Sequence, residues 1–271
     1  MKRMMAGLLI LTAVFGVSAS AQEGRGPNSP AVRQSVTDGA SKGVAAIARA
    51  AAARKFIFVF FWKEKNQPTD QAWSVLQSAA AKMTDWAAVA AVQVTDPAEQ
   101  ELVVRYDLTR TPLPLVLAIA PCGAITKGFT GKFTEEQLGA AYVSPCTQQC
   151  LKALQDNKLV LLCVADQAGP NAAEVVPPGV RDFKADATYG QATEIVFISA
   201  RDEGEATFLK ELQVDPQAPK PCSVLLAPPG TVIGQFDGRA SKEQIVAKLV
   251  AAQNNPCAGG KCGPNGCGPK K

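Results

Sequence analysis

The sequence predicts an α/β protein made of two tandem copies of one domain, each a mixed central sheet flanked by helices. Three observations predict it. First, the chain of 271 residues matches itself at an offset of 107. Pro121-Cys122-Gly123-Ala124-Ile125 falls on Pro228-Pro229-Gly230-Thr231-Val232, Phe129 and Gly131 on Phe236 and Gly238, and Thr134-Glu135-Glu136-Gln137-Leu138 on Ser241-Lys242-Glu243-Gln244-Ile245. A period this long, seen only twice, indicates duplicated domains and not a solenoid. Second, strand and helix signals alternate within each copy, which is the α/β pattern. Third, the tight Pro121-Cys122-Gly123 turn can join only antiparallel neighbours, so the sheet is mixed.

In the first copy the expected order is helix 41–54, strand 56–62, helix 70–83, strand 88–94, helix 97–106, strands 115–120 and 124–130, and helix 134–142. Trp73, Leu76, Ala80 and Met83 recur at helical spacing and are read as core. Asp96-Pro97-Ala98-Glu99 opens the third helix: Asp96 caps and Glu99 closes a capping box. Thr134 to Gln137 is a second box. The other copy runs from Pro145 to about Ala252. It repeats the first signature as Asp202-Glu203-Gly204-Glu205, at an offset of 106, and the second as Ser241 to Gln244. Its 168–191 segment, rich in Pro, Gly and Ala, reads as a loop or distorted helix in place of a regular one.

The N-terminus carries Lys2 and Arg3, an apolar run from Ala6 to Val17, and then Ala19-Ser20-Ala21, the order of a secretory signal peptide. Cleavage is expected after Ala21, giving an exported protein, periplasmic or secreted. Gln22 offers no lipid-anchoring cysteine. No later stretch approaches 18 uninterrupted apolar residues, so no membrane span is expected after cleavage. The domain reading is signal peptide 1–21, flexible linker 22–40, domains 41–143 and 144–253, and a Cys/Gly/Pro-rich tail 254–271.

The net charge of +4 includes Lys2 and Arg3, and basic and acidic residues are mixed, which gives no case for nucleic acid. There is no histidine among the 271 residues. His-based triads and His-containing zinc sites are therefore excluded. No phosphate loop or distinctive carboxylate pair is present, so the reading leans away from an enzyme. Eight cysteines in an exported chain invite a disulfide reading whose connectivity the sequence does not give.

The element order and several residues resemble the thioredoxin superfamily. Family members end their first core strand in Phe-Trp and follow it with Cys-Gly-Pro-Cys at a helix start. Here Val59-Phe60-Phe61-Trp62-Lys63-Glu64-Lys65 runs into Asn66-Gln67-Pro68-Thr69, with the proline in place and both cysteines absent. Disulfide exchange needs a reactive thiolate and a resolving thiol, and Asn66 and Thr69 supply neither. The second copy also has no thiol there, in Asp166-Gln167-Ala168-Gly169-Pro170-Asn171. The resemblance further implies a cis-proline before the third core strand, beside a backbone edge that binds extended peptide. Pro112 or Pro114 and Pro219 or Pro221 are the candidates, and counting back from Gly123 and Gly230 favours Pro114 and Pro221.

Two cysteine groups remain. Ser144-Pro145-Cys146-Thr147-Gln148-Gln149-Cys150 reads as a capped helix start with Cys146 and Cys150 on one face. The macrodipole would favour a thiolate at Cys146. The pair can be redox-active, bind soft metal, form a disulfide, or simply pack. The tail cysteines Cys257, Cys262 and Cys267 suit trigonal Cu(I), or pair with each other or with the body. Cys163 reads as a buried, inert thiol, and Cys222 as either edge-adjacent or packed. The leading expectation is a non-catalytic scaffold or binding module, without a cofactor, that engages a protein or peptide partner in the cell envelope. The alternative is a thiol-based carrier for Cu(I) or for disulfide exchange.

Overall fold

The computed structural model describes residues 41–165, 176–215 and 222–254, which fall within one unit of the chain. The predicted signal peptide and linker, Pro219, Pro221, Cys257, Cys262 and Cys267 lie outside the described residues.

The first half runs α1 (Lys42–Ala52), β1 (Phe56–Trp62), α2 (Gln67–Lys82), β2 (Ala87–Gln93), a 3₁₀ turn (Pro97–Glu99), α3 (Gln100–Arg105), β3 (Leu115–Ile119), β4 (Ile125–Thr130) and α4 (Glu135–Gly139). Its strands form one sheet in the order β2-β1-β3-β4. β1 pairs parallel with β2 and antiparallel with β3, and β3 pairs antiparallel with β4. The second half runs α5 (Pro145–Gln155), β5 (Leu159–Ala165), α6 (Pro178–Ala185), β6 (Thr193–Ser199), α7 (Ala206–Glu211), β7 (Cys222–Ala227), β8 (Thr231–Asp237) and α8 (Lys242–Asn254). Its sheet has the same order and the same parallel and antiparallel pairings, β6-β5-β7-β8. The protein is thus an α/β chain with two mixed four-stranded sheets flanked by helices.

The repeat extends to irregular details. The β3–β4 ladder slips between Ala118 and Ile119, and the β7–β8 ladder slips between Leu225 and Leu226, the positions 107 further on. Left-handed residues end corresponding helices: Arg54 and Asn157 after α1 and α5, Asp107 and Gln213 after α3 and α7. A helix that stops in this conformation turns its chain sharply back toward the sheet.

The central strand of each sheet is apolar on both faces because helices cover both. Phe58 and Phe60 face Leu76, Val116 and Leu138, while Ile57, Val59 and Phe61 face Leu102, Leu115 and Ile119. Alternation along a strand divides these side chains between two core layers. Phe58, Phe60 and Phe61 are at most 2 % exposed, and burying each contributes about 2–3 kcal/mol. In the second half Leu162 and Val164 face Cys150 and Leu209, and Leu161 and Cys163 face Phe183 and Ile245.

The halves share α5. Its Cys150, Ala153 and Leu154 belong to the second core, and its Leu151 packs on Phe56, Ala120 and Ala124 at the foot of the first sheet. The Gln155 side chain accepts from the Ile125 N–H at 2.9 Å and donates to the Ile125 carbonyl at 2.7 Å, so it binds β4 as a neighbouring strand would.

Three local expectations differ from the structure. Helix α2 begins at Gln67 and not at residue 70, because Asn66 caps it and Pro68 is tolerated in its first turn. Part of the 168–191 segment, read as a loop or distorted helix, contains the regular helix α6, which starts at Pro178 where a missing N–H costs nothing. The Asp96 and Asp202 caps are present, bonding the N–H groups of Ala98 and Gly204. Glu99 and Glu205, however, close no box: both are buried and reach instead toward the start of the first helix in their own half.

Candidate functional site

The site is built where β1 leaves the sheet. Trp62 ends the strand, Lys63-Glu64-Lys65 crosses its end, and Asn66 starts α2 by accepting the Thr69 N–H on its side-chain oxygen at 3.0 Å. Thr69 is 6 % exposed and its hydroxyl donates to the Glu64 carbonyl at 3.1 Å, which ties the loop to the helix. The Asn66 bond satisfies one of the backbone donors that a helix start leaves free. The 16-residue α2 therefore presents its positive end here with no thiol in its first turn.

The loop before β3 faces this helix start. The Leu113–Pro114 peptide bond is cis, and Leu113 lines the same cleft as Asn66 and Thr69. The cleft has a volume of about 540 Å³. Lys63 and Glu64 stand on one wall and Gln100 and Thr111 on another, above apolar Val103. Ladder pairing of β3 begins at Leu115. Pro112 and Pro114 have no N–H to offer, so Leu113 holds the single backbone donor of this stretch. Its N–H and carbonyl, and the Pro112 carbonyl, have no hydrogen-bond partner among the described residues. On the other side of Thr69 lies a smaller pocket of about 240 Å³, lined by Phe60, Trp62 and Trp73 with Lys65 and Asp70 at its rim. Trp73 packs on Phe60 with ring centres 5.2 Å apart.

The thiols are placed differently. Cys146 and Cys150 lie on α5, which Ser144 caps and Pro145 opens. Cys150 is 1 % exposed in the second core. Cys146 is half-buried and its thiol donates to the Phe197 carbonyl at 3.1 Å. Burial, with the neighbouring Glu205 carboxylate adding to it, pushes the Cys146 thiol up to about 12. Burial likewise pushes Cys150 up to about 12 and Cys163 up to about 11. The helix dipole was expected to favour a thiolate at Cys146; desolvation and the adjacent carboxylate reverse that sign. Cys222, half-buried at the start of β7, is raised by burial as well. Cys122 is exposed on the β3–β4 turn, 3.6 Å from the Gln148 carbonyl. No group of three or more metal-ligating side chains occurs among the described residues, and no described helix is long and apolar enough to cross a membrane.

Sequence reasoning missed the buried pair Glu99 and Glu205. Their signal was the second appearance of Asp-x-x-Glu at an offset of 106, which fits a cap as well as it fits a buried carboxylate. Glu99 accepts Gly43 N–H and the Ser41 hydroxyl. Glu205 accepts the Thr147 hydroxyl at 3.3 Å, while its Oε1 has no partner among the described residues.

No protein-family model matches the chain, and no curated protein matches it. Among solved structures, the germline-specific thioredoxin Deadhead of Drosophila melanogaster aligns at 24 % identity over 34 % of this chain and 82 % of its own, with a TM-score of 0.29. Oxidized thioredoxin O2 of Arabidopsis thaliana aligns at 12 % identity over 36 % of this chain and 82 % of its own, TM-score 0.31. A structure described as a malarial protein aligns at 10 % identity over 32 % and 92 %, TM-score 0.28. The likeness is thus thioredoxin-like and partial, covering about a third of the chain each time, and the α/β class stands on the two sheets and their registers.

Proposed function

We propose that this chain is an exported, non-catalytic tandem thioredoxin-like protein that binds an extended peptide or protein segment in the groove beside Pro114. One observation carries the reading: the Leu113 N–H and carbonyl are unpaired among the described residues, at the wall of an open cleft of about 540 Å³. Unpaired donors and acceptors beside a strand are what an added peptide strand bonds to, with side-chain pockets supplying selectivity. Asn66 and Thr69, which the sequence resemblance aligns with the redox pair of thioredoxins, bind backbone and carry no thiol. Export rests on the order of charged, apolar and small residues in the first 21 positions.

The thiol-carrier reading retains Cys257, Cys262 and Cys267 as its possible Cu(I) ligands. Cys146 and Cys150 support it poorly as protonated, packed groups.

The test is amide hydrogen exchange on the full chain, with and without a pool of unstructured ten-residue peptides of varied sequence. Slowed exchange at the Leu113 amide is the expected result. Peptides retained by the immobilised wild type should be lost by a Leu113→Pro variant that keeps its circular dichroism, because that change removes the one backbone donor. Exchange at Leu113 that no peptide in the pool slows would reject the groove as a binding edge.

A further inference from the structure

A second cleft, of about 590 Å³, lies where the two halves meet, between the α4–α5 connection and α7. Its charged lining is Asp202 and Glu211, with no basic residue among the lining side chains. The other three described clefts each balance their charge: Lys63 with Glu64, Lys65 with Asp70, and Lys248 with Asp237. Arg201 and Lys210 adjoin the acidic residues in sequence but do not line this cleft. The positive end of α5 also opens here at Ser144 and Pro145. Glu205 offsets it: 1 % exposed, it follows the wall residue Gly204 and accepts the hydroxyl of the wall residue Thr147, and its Oε1 is unpartnered among the described residues. The field in the cleft is therefore negative, which calls for a cation.

The cleft also carries aromatic surface. Tyr142 is 54 % exposed although one side of its ring is held by Trp86 and Phe56, at 5.2 and 5.1 Å between centres. Phe208 forms the opposite wall and packs on the second core. An aromatic-lined acidic groove recognises proline and lysine side chains in an extended segment.

We infer that the occupant is the chain's own C-terminal segment, residues 255–271. It holds Lys261, Lys270 and Lys271 with no acidic residue, and Pro256, Pro264 and Pro269. The N-terminal stretch 22–40 is no competitor, since Arg25 and Arg33 are cancelled by Glu23 and Asp38. From Asn254, the end of α8, the segment can extend up to roughly 55 Å. A compact unit of this size, with a radius of gyration of about 17 Å, is about 44 Å across, so the extended segment is long enough to pass from α8 to the other face of the second sheet, where the cleft lies. The docked lysines pair with Asp202 and Glu211 and lie against Tyr142, which places the three tail cysteines at the junction of the halves.

The test is zero-length carbodiimide coupling on the reduced full-length protein at low ionic strength, followed by digestion and mass spectrometry. The expected products are amide links from Lys261, Lys270 or Lys271 to Asp202 or Glu211, in protein of monomer mass, at a yield independent of protein concentration. Their yield falls several-fold in 0.5 M salt, where the Debye length is only about 4 Å. A Lys261→Gln/Lys270→Gln/Lys271→Gln variant should then exchange its Thr147 and Thr207 amides several-fold faster than the wild type. Links confined to Asp237 and other acids near α8, or unchanged exchange in the lysine variant, overturn the inference. Links found only in protein of dimer mass also overturn it and assign the cleft to a second copy.

Discussion

Glu99 accepts the backbone N–H of Gly43 across 56 residues of chain, at 3.1 Å, with both groups buried. The same carboxylate takes the hydroxyl of Ser41, the residue that caps α1. The bond ties the start of the first helix to the turn after β2, and so fixes α1 against the edge of the first sheet.

Glu99→Gln turns one accepting oxygen into an NH2 donor, so one of the two donors, Gly43 N–H or the Ser41 hydroxyl, loses its acceptor, which costs more than the bond itself contributes. Glu99→Gln should lower unfolding free energy by about 2 kcal/mol, measured by urea denaturation. Glu205→Gln should cost less, because one of its oxygens has no partner to lose. Equal losses at the two sites would mean that the second carboxylate is held by contacts equivalent to the first.

Gly43 is required for a related reason. A Cβ there would lie 2.5 Å from Leu102 Cδ1 and 2.7 Å from Glu99 Oε2, closer than real contacts allow. Gly43→Ala should destabilise by about 2 kcal/mol through overpacking. The corresponding position in the second half is Cys146, whose side chain is accommodated there, so Cys146→Gly should not repeat the effect in reverse by more than about 1 kcal/mol.

Much of this architecture was legible in the sequence, and the reason differs by element. The offset of 107 located the duplication, because Thr134–Gln137 and Ser241–Gln244 specify helix starts by hydrogen bonds local to four residues. Two cis bonds occur among the described residues, Leu113–Pro114 and Pro228–Pro229. Family resemblance singles out the first, which no local pattern distinguishes from Thr111–Pro112, and nothing in the sequence singles out the second. What local pattern did not reveal is long-range. Nothing near Glu99 shows that its partner stands 56 residues earlier. Likewise the dipole rule for Cys146 gave the wrong direction, because burial in the second core raises the thiol and the carboxylate of Glu205, on a different element, adds to it.

The raised thiols set a pH dependence. Cys150 and Cys163 hold their protons in the folded state to about 12 and about 11, above ordinary unfolded values near 8.5. The unfolded chain therefore loses these protons first as pH rises, and stability falls between about pH 9 and 12. Below about pH 8 the contribution is fully present and flat. Urea denaturation at about pH 8, 9 and 10 should show that decline, and a Cys163→Ala variant should show a shallower one. Equal slopes in the two proteins would place the folded Cys163 thiol near its unfolded value.

Reactivity follows the same chemistry. A thiol at about 12 carries a thiolate fraction near 10⁻⁴ at about pH 8. Iodoacetamide at that pH should label exposed Cys122 and leave Cys150 and Cys163 untouched until denaturant is added. Rapid native labelling of Cys146 would restore a redox role for the Cys146/Cys150 pair.

The α2 start offers a direct test of what its loop can hold. Asn66 caps the helix, Thr69 lies one turn on, and the Asn66 side chain already bonds the Thr69 N–H at 3.0 Å. A thiol at position 66 would stand at the positive end of a 16-residue helix, where its pKa falls and its thiolate is available near neutral pH. A thiol at position 69 would be nearly buried, as Thr69 is at 6 % exposure, and placed to resolve a mixed disulfide. Asn66→Cys/Thr69→Cys should therefore form an internal disulfide and turn over insulin disulfides with dithiothreitol, at a cost of about 1 kcal/mol for the lost cap. The wild type should not exceed the uncatalysed rate, and Asn66→Cys alone should stall as a mixed disulfide. If the double variant neither closes its disulfide nor turns over, this loop does not hold two thiols in exchange geometry.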